Sequence, residues 1–67
     1  MFPNLQAEQA RRGMTNQQVA DFLGISRVAF ESKKKSGRFY TLELFKLCTL
    51  FNCTFEYLFA VEENVGA

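Results

Sequence analysis

Five of the eight lysine and arginine residues of this 67-residue chain fall between residues 27 and 38. They are Arg27, Lys33, Lys34, Lys35 and Arg38. Only one acidic residue, Glu31, accompanies them, so this segment carries a charge of +4 although the whole chain carries only +1. From residue 56 onward, Glu56, Glu62 and Glu63 give −3. Cationic side chains concentrated in this way favour contact with a polyanion. The alternative is a solvated helix end, because lysines also suit the dipole of a helix C-terminus.

Other chemistry has few candidate residues in this sequence. There is no histidine, and the two cysteines Cys48 and Cys53 fall short of the four ligands of a structural zinc site. The sequence has no nucleophile with a general base to activate it, and no phosphate-binding glycine loop. We therefore predict that the protein is not an enzyme and needs no cofactor. We expect reduced thiols, with Cys48 in the core and Cys53 beside a turn. Without a signal peptide or an apolar run of about 20 residues, the sequence predicts a cytoplasmic protein.

The chain length predicts one domain, residues 1–67, built around one core. Eight of the ten aromatic residues lie from Phe30 onward, so we expect the second half to supply most of that core. No segment alternates as a strand would, and capping residues and glycines divide the chain into short helices. The predicted helices cover residues 5–12, 16–23, 27–35, 41–51 and 55–59, with caps at Asn4, Thr15, Ser26 and Thr54. Residues 60–67 are expected to fray.

The fourth predicted helix is apolar around most of its circumference. Its polar positions, Glu43, Lys46 and Thr49, form only a narrow stripe. A helix of this kind is typical of the centre of a bundle. The sequence therefore predicts a compact, all-α, five-helix bundle with this helix inside.

The second and third predicted helices are joined by a very short turn at Gly24. Thr15 and Gln18 fit a capping box at the start of the pair. Ala20 is small enough for two helices to cross closely beside it. An apolar interface between the two helices is predicted from Val19, Leu23, Ile25 and Phe30.

This spacing of alanine, glycine and core hydrophobe resembles the helix-turn-helix of phage repressor and Cro-type DNA-binding domains. The resemblance covers residues 5–59 and is strongest at 19–20, 23–26 and 50–58. It implies a lambda-repressor-like fold with its helix-turn-helix at about 16–35. It also implies a sequence-specific transcriptional regulator, such as a small bacterial or phage repressor, with double-stranded DNA as partner and no membrane or metal.

The family's DNA contacts carry over to eight positions, which are Asn16, Gln17, Ser26, Arg27, Val28, Ser32, Lys35 and Arg38. The resemblance implies that the first half of the third helix enters the major groove, where Arg27 would bond guanine and Val28 would meet a thymine methyl. Asn16 and Gln17 would hold a phosphate at the start of the second helix. Lys35 and Arg38 would reach flanking phosphates.

Three departures from the family pattern affect packing. Gln9 and Lys34 stand where the family pairs an arginine with a glutamate, a loss that is tolerable because both partners are absent. Lys33 replaces a core aliphatic residue, and we expect its ammonium to reach water. The usual proline is missing from residues 39–41, where we expect Phe39 or Tyr40 to fill the core.

The last two helices hold more large apolar residues than so small a domain readily covers. We therefore expect a weak symmetric homodimer with Phe55 as anchor and Tyr57 or Phe59 beside it, as related domains pair near this helix. The alternative is that all these aromatics fold inward. A second functional hypothesis, favoured by the Gln9 and Lys34 changes and the low net charge, is an antitoxin-like or accessory protein-interaction module.

Overall fold

The structure, a computed structural model, describes residues 1–61 and contains five α-helices and no strand in that range. The helices are α1 (Pro3–Arg11), α2 (Asn16–Leu23), α3 (Arg27–Ser36), α4 (Thr41–Phe51) and α5 (Phe55–Leu58). The all-α, five-helix prediction is therefore confirmed. Glu62, Glu63 and all but two residues of the segment expected to fray lie outside the described residues. None of the five helices has the length and apolar character to cross a bilayer.

Three of the predicted N-caps are confirmed. Thr15 Oγ1 accepts from the Gln18 backbone N–H at 3.1 Å, and Gln18 Oε1 accepts from the Thr15 N–H at 2.8 Å, which completes the capping box. Ser26 caps α3 and Thr54 caps α5 by accepting from backbone N–H groups three residues later. These caps set the starts of α2, α3 and α5.

The start of α1 differs from the prediction. The helix begins at Pro3, which suits the first helical position because its missing N–H would have no helical partner. Asn4 therefore lies inside the helix and is not its cap. Its Nδ2 instead donates to the Tyr57 carbonyl at 2.8 Å, which ties α1 to α5.

The core consists of nine buried apolar residues from all the helices and from the end of α5. They are Leu5, Val19, Ala20, Leu23, Phe30, Leu47, Phe51, Leu58 and Phe59. Ala20 has no exposed surface, and Ile25 packs against the core, so the predicted interface between α2 and α3 is confirmed.

Helix α4 is not central, contrary to the prediction. Leu42 and Phe45 remain 64% and 66% exposed, whereas Leu47 and Phe51 on the opposite side are buried. Glu43, expected on the polar stripe, is buried and accepts from the Tyr40 backbone N–H at 2.9 Å. The helix thus has one face in the core and one apolar face in solvent.

Glu43 is buried because Lys33 meets it. Lys33 Nζ lies 3.1 Å from Glu43 Oε1 and 4.2 Å from the centre of the Tyr40 ring. The expectation for Lys33 did not include this carboxylate partner, and the Lys33 side chain is only 18% exposed. The ion pair links α3 to α4 across the loop of residues 37–40.

Of the two aromatic residues proposed to fill the core, Phe39 does so. Its ring centre lies about 6 Å from those of Phe30 and Phe59, and its side chain packs against the core. Tyr40 is 73% exposed and contributes its ring to the Lys33 ammonium instead.

A buried carboxylate joins α1 to α5. Glu8 accepts from the Tyr57 hydroxyl at 2.8 Å and from Arg11 Nη1 at 2.6 Å, and it also pairs with Arg12. The Arg12 hydrogen bond is the largest cause that holds the pKa of Glu8 below its ordinary value, followed by the bond from Tyr57. The same contact with Glu8 raises the pKa of Tyr57. Arg12 Nη2 also donates to the Phe51 carbonyl at 2.7 Å, which connects this cluster to the end of α4.

Both cysteines are free and half-buried. Cys48 packs against the core, where burial is the main cause that raises the pKa of its thiol. Cys53 follows the end of α4, and its Sγ lies 3.2 Å from the Phe51 carbonyl oxygen.

Candidate nucleic-acid interface

Helices α2 and α3 are joined by a three-residue turn at residues 24–26. Gly24 takes the left-handed conformation (φ +77°) that favours glycine, and the Ile25 N–H donates to the Ala20 carbonyl at 3.0 Å. Ala20 is fully buried, so the two helix backbones approach closely at this point. The turn and the small residue together fix the direction in which α3 leaves α2.

The outer face of α3 carries the predicted DNA-contacting residues into solvent. Ser26, Arg27, Val28, Ser32 and Lys35 are all exposed, while Phe30 of the same helix is fully buried. Gln17 at the start of α2 and Arg38 after α3 are exposed as well. Seven of the eight predicted positions are thus accessible to a ligand, and Asn16 alone is half-buried.

The side chain of Asn16 is directed into the protein. Its Nδ2 donates to Glu31 Oε2 at 3.0 Å, and its Oδ1 accepts from Gln9 Nε2 at 2.8 Å and from Lys34 Nζ at 3.0 Å. A side chain held by three internal partners is not free to grip a phosphate. The role that the sequence resemblance implied for Asn16 therefore does not match its geometry.

Gln9 and Lys34 meet, at the two positions where the domains that the sequence resembles pair an arginine with a glutamate. Lys34 Nζ lies 3.1 Å from Gln9 Oε1 and 3.1 Å from Gln6 Oε1, and 5.0 Å from the centre of the Phe30 ring. Desolvation is the main cause that lowers the pKa of Lys34, opposed by the nearby charge of Glu31. Amide oxygens on α1 and α2 thus surround a lysine charge from α3.

Arg27 is paired with Glu31 one turn along α3. Arg27 Nη1 lies 3.0 Å from Glu31 Oε2 and 3.3 Å from Oε1, and the two side chains are 53% and 39% exposed. A hydrogen bond from Asn16 is the largest cause that lowers the pKa of Glu31, and Arg27 lowers it further. The carboxylate is therefore ionised at neutral pH and lies directly beside the predicted guanine contact.

The five basic residues of segment 27–38 are not equally available. Lys33 pairs with Glu43, Arg27 pairs with Glu31, and Lys34 is enclosed by amide oxygens. Lys35 and Arg38 are exposed and form no ion pair within residues 1–61. The sequence count of +4 thus overstates the charge that this surface offers to a polyanion.

The predicted dimer residues divide into two groups. Phe55 is 53% exposed and Tyr57 is 40% exposed, but Phe59 is only 8% exposed and belongs to the core. Phe59 therefore drops out of the predicted dimer surface. Phe55 borders an apolar groove of about 230 Å³ that is also lined by Thr41, Leu44, Phe45 and Cys48.

The start of α3 exposes Arg27, paired with Glu31, and the apolar Val28, and Gln17, Lys35 and Arg38 are exposed before and after it. The polar side chains among them can donate hydrogen bonds and offer cationic charge. Within residues 1–61, no group of three acidic, cysteine or histidine side chains could hold a metal ion. No family model, curated protein or solved structure matches this chain.

Proposed function

We propose that the protein is a sequence-specific DNA-binding regulator in which α2 and α3 form a helix-turn-helix. The observation that carries this proposal is the combination of a fully buried Ala20 between the two helices with an exposed Arg27 and Val28 at the start of α3. A helix presented in this way fits the major groove, which is about 12 Å wide. The resemblance of residues 5–59 to repressor and Cro-type domains supports the same function.

The exposed residues divide by the part of DNA that they suit. Arg27 has the donors for guanine O6 and N7, and Val28, 66% exposed, has the apolar surface for a thymine methyl. Ser26 and Ser32 are exposed too and suit either base edges or the backbone. Gln17, Lys35 and Arg38 suit phosphates, which fix register and carry no sequence information.

The test is a titration of the protein against mixed duplex DNA fragments at several salt concentrations. Each phosphate neutralised adds about 0.9 to the negative slope of log affinity against log salt, so three to six contacts predict a slope of about −3 to −5. A flat salt response, or no binding at low salt, would contradict DNA binding.

The second candidate function is a protein-interaction module, and the exposed apolar side chains favour it. Phe22 is 45% exposed beside the α2–α3 turn, while Leu42 and Phe45 expose an apolar face of α4. Arg27 pairs with Glu31 and Lys33 pairs with Glu43, and both ion pairs reduce the positive charge available for DNA. This candidate predicts weak or no DNA binding, so the same titration separates the two functions.

A further inference from the structure

Glu31 connects two residues of the proposed DNA-contacting surface. Its Oε2 accepts from Arg27 Nη1 and from Asn16 Nδ2, both at 3.0 Å. Asn16 is itself held by Gln9 and Lys34, which contact its Oδ1 at 2.8 and 3.0 Å. The carboxylate is therefore fixed from the interior side of α3, and the guanidinium of Arg27 is attached to it on the solvent side.

The contact between Arg27 and Glu31 leaves the other edge of the guanidinium open. The group has five N–H donors in a rigid plane, and Glu31 engages Nη1. Nε and Nη2 remain for a bidentate bond to guanine O6 and N7. An arginine whose plane is already held loses less conformational freedom when it binds, and it presents its donors in one orientation.

We propose that Glu31 is a positioning residue that sets the base preference of Arg27, with Asn16 as its anchor. This inference rests on the proposed DNA-binding function. In this proposal Asn16 holds the Glu31 carboxylate in place, and it does not contact phosphate as the resemblance implied.

The proposal predicts opposite effects of Glu31 on affinity and on discrimination. An ionised carboxylate near the DNA backbone repels phosphates, so Glu31 weakens binding to every sequence. The same carboxylate orients Arg27, so it increases the preference for guanine over other bases. A residue with a purely structural role would not move these two quantities in opposite directions.

The experiment begins with selection of the preferred duplex of the wild-type protein from a random pool. The base pair at which Arg27→Ala loses its preference identifies the arginine contact. Affinities are then measured for this duplex and for its G-to-A variant, using wild type, Glu31→Gln and Asn16→Ala. The matched control is Asp21→Asn, which makes the same charge change on α2, where Asp21 contacts Gln17 and not Arg27.

We expect Glu31→Gln to bind the preferred duplex at least as tightly as wild type while its guanine preference falls about fivefold or more, within the range of one bidentate contact. In the Arg27→Ala background the same change should leave the preference unaltered. Asn16→Ala should lower the preference without a change of charge, and Asp21→Asn should leave it intact.

The inference is wrong if Glu31→Gln keeps the wild-type preference, or if it changes the preference equally with Arg27 absent. It is also wrong if Asn16→Ala weakens all duplexes alike, since Asn16 would then be a phosphate ligand. Failure of wild type to bind any duplex would instead overturn the proposed function.

A measurement without DNA tests the anchoring on its own. NMR relaxation of the Arg27 Nε–H group should show a restrained side chain in wild type and a mobile one in Glu31→Gln. A mobile Arg27 in the wild-type protein would overturn the positioning role whatever the DNA result. Glu31 is 39% exposed, so Glu31→Gln is expected to fold even if Asn16→Ala does not.

Discussion

At the scale of single residues, Arg27 and Lys35 both lie exposed on α3 but differ in their surroundings. Arg27 is held by Glu31 at the start of the helix, whereas Lys35 near its end forms no ion pair within residues 1–61. We expect Arg27→Ala to relax the preference at one base pair by about 1–3 kcal/mol. Lys35→Ala should weaken binding to all sequences alike and reduce the salt slope by about 1. Quantitative binding to preferred and altered duplexes checks both, and an unchanged preferred site in Arg27→Ala would show that α3 meets DNA by another face.

A second residue-scale prediction concerns acid stability and Glu8. Its pKa in the folded state is lowered from the ordinary value of 4.5 by Arg12, Tyr57 and Arg11, so its ionised form stabilises the fold at higher pH. This stabilisation is complete above pH 4.5 and is lost as the pH falls from there through the lowered pKa. Thermal unfolding between pH 7 and 3 should show wild type more stable than Glu8→Gln at neutral pH, with the difference shrinking on acidification.

The matched control for Glu8 is Glu56→Gln, which removes an exposed carboxylate from α5. We expect this variant to keep the loss of stability on acidification that depends on Glu8. If the difference in thermal stability between wild type and Glu8→Gln were the same at every pH, the stabilisation by Glu8 would not depend on ionisation of its carboxylate.

The contacts that the sequence did not predict all join residues far apart along the chain. The partners of Asn16 lie 7, 15 and 18 positions away along the chain, and Tyr57 reaches Glu8 across 49 positions. Sequence patterns report contacts within a turn or two, as at the Thr15 capping box. They do not report which polar side chains meet when separate helices pack.

At the scale of helices, the sequence predicted boundaries better than faces. Helix α2 has the predicted bounds, and α3 ends one residue later than expected, because local caps and glycines determine where these helices begin and end. For α4, whose sequence is apolar on nearly every side, periodicity could not indicate which face meets the core. The predicted start of α1 was wrong because Pro3 occupies the first helical position, and Asn4, predicted as the cap, bonds α5 across 53 positions instead.

The ion pair between α3 and α4 supplies a prediction at this scale. Lys33→Met should destabilise the fold by about 1–3 kcal/mol, because Glu43 would stay buried without its cation. Glu43→Leu should also destabilise, since it removes the partner of Lys33 and the acceptor for Tyr40 N–H. The double variant should lose less unfolding free energy than the two single variants lose together, by about 0.5–3 kcal/mol. Urea unfolding of the four proteins gives the coupling, and strict additivity would mean that the pair does not hold α3 against α4.

At the scale of the whole molecule, α3 differs from α4 and α5 in the side chains that it exposes. On α3 the exposed residues are mostly polar, among them Arg27 and Lys35, whereas α4 and α5 expose Phe45 and Phe55 beside an apolar groove and Leu42 elsewhere on α4. One recognition helix reads only a few base pairs, so the proposed function would gain specificity if two copies of the chain paired on a two-fold site. A second copy of the chain is therefore the occupant that we expect on the apolar face.

We predict a weak symmetric homodimer in which Phe55 and Phe45 of each protomer pack against the groove of its partner. From their exposed fractions, Leu42, Phe45 and Phe55 offer on the order of 300 Å² per protomer, below the roughly 800 Å² per partner of a stable interface. Sedimentation equilibrium over a wide concentration range should therefore show a dimer only at high protein concentration.

Phe55→Ser should shift the protein to monomer while it stays folded, because Phe55 is 53% exposed. Phe22→Ser, which alters a comparably exposed phenylalanine on α2, should leave the dimer intact. If wild type remains monomeric at millimolar concentration, or if Phe22→Ser is the variant that dissociates it, the α4 and α5 face is not the contact between copies.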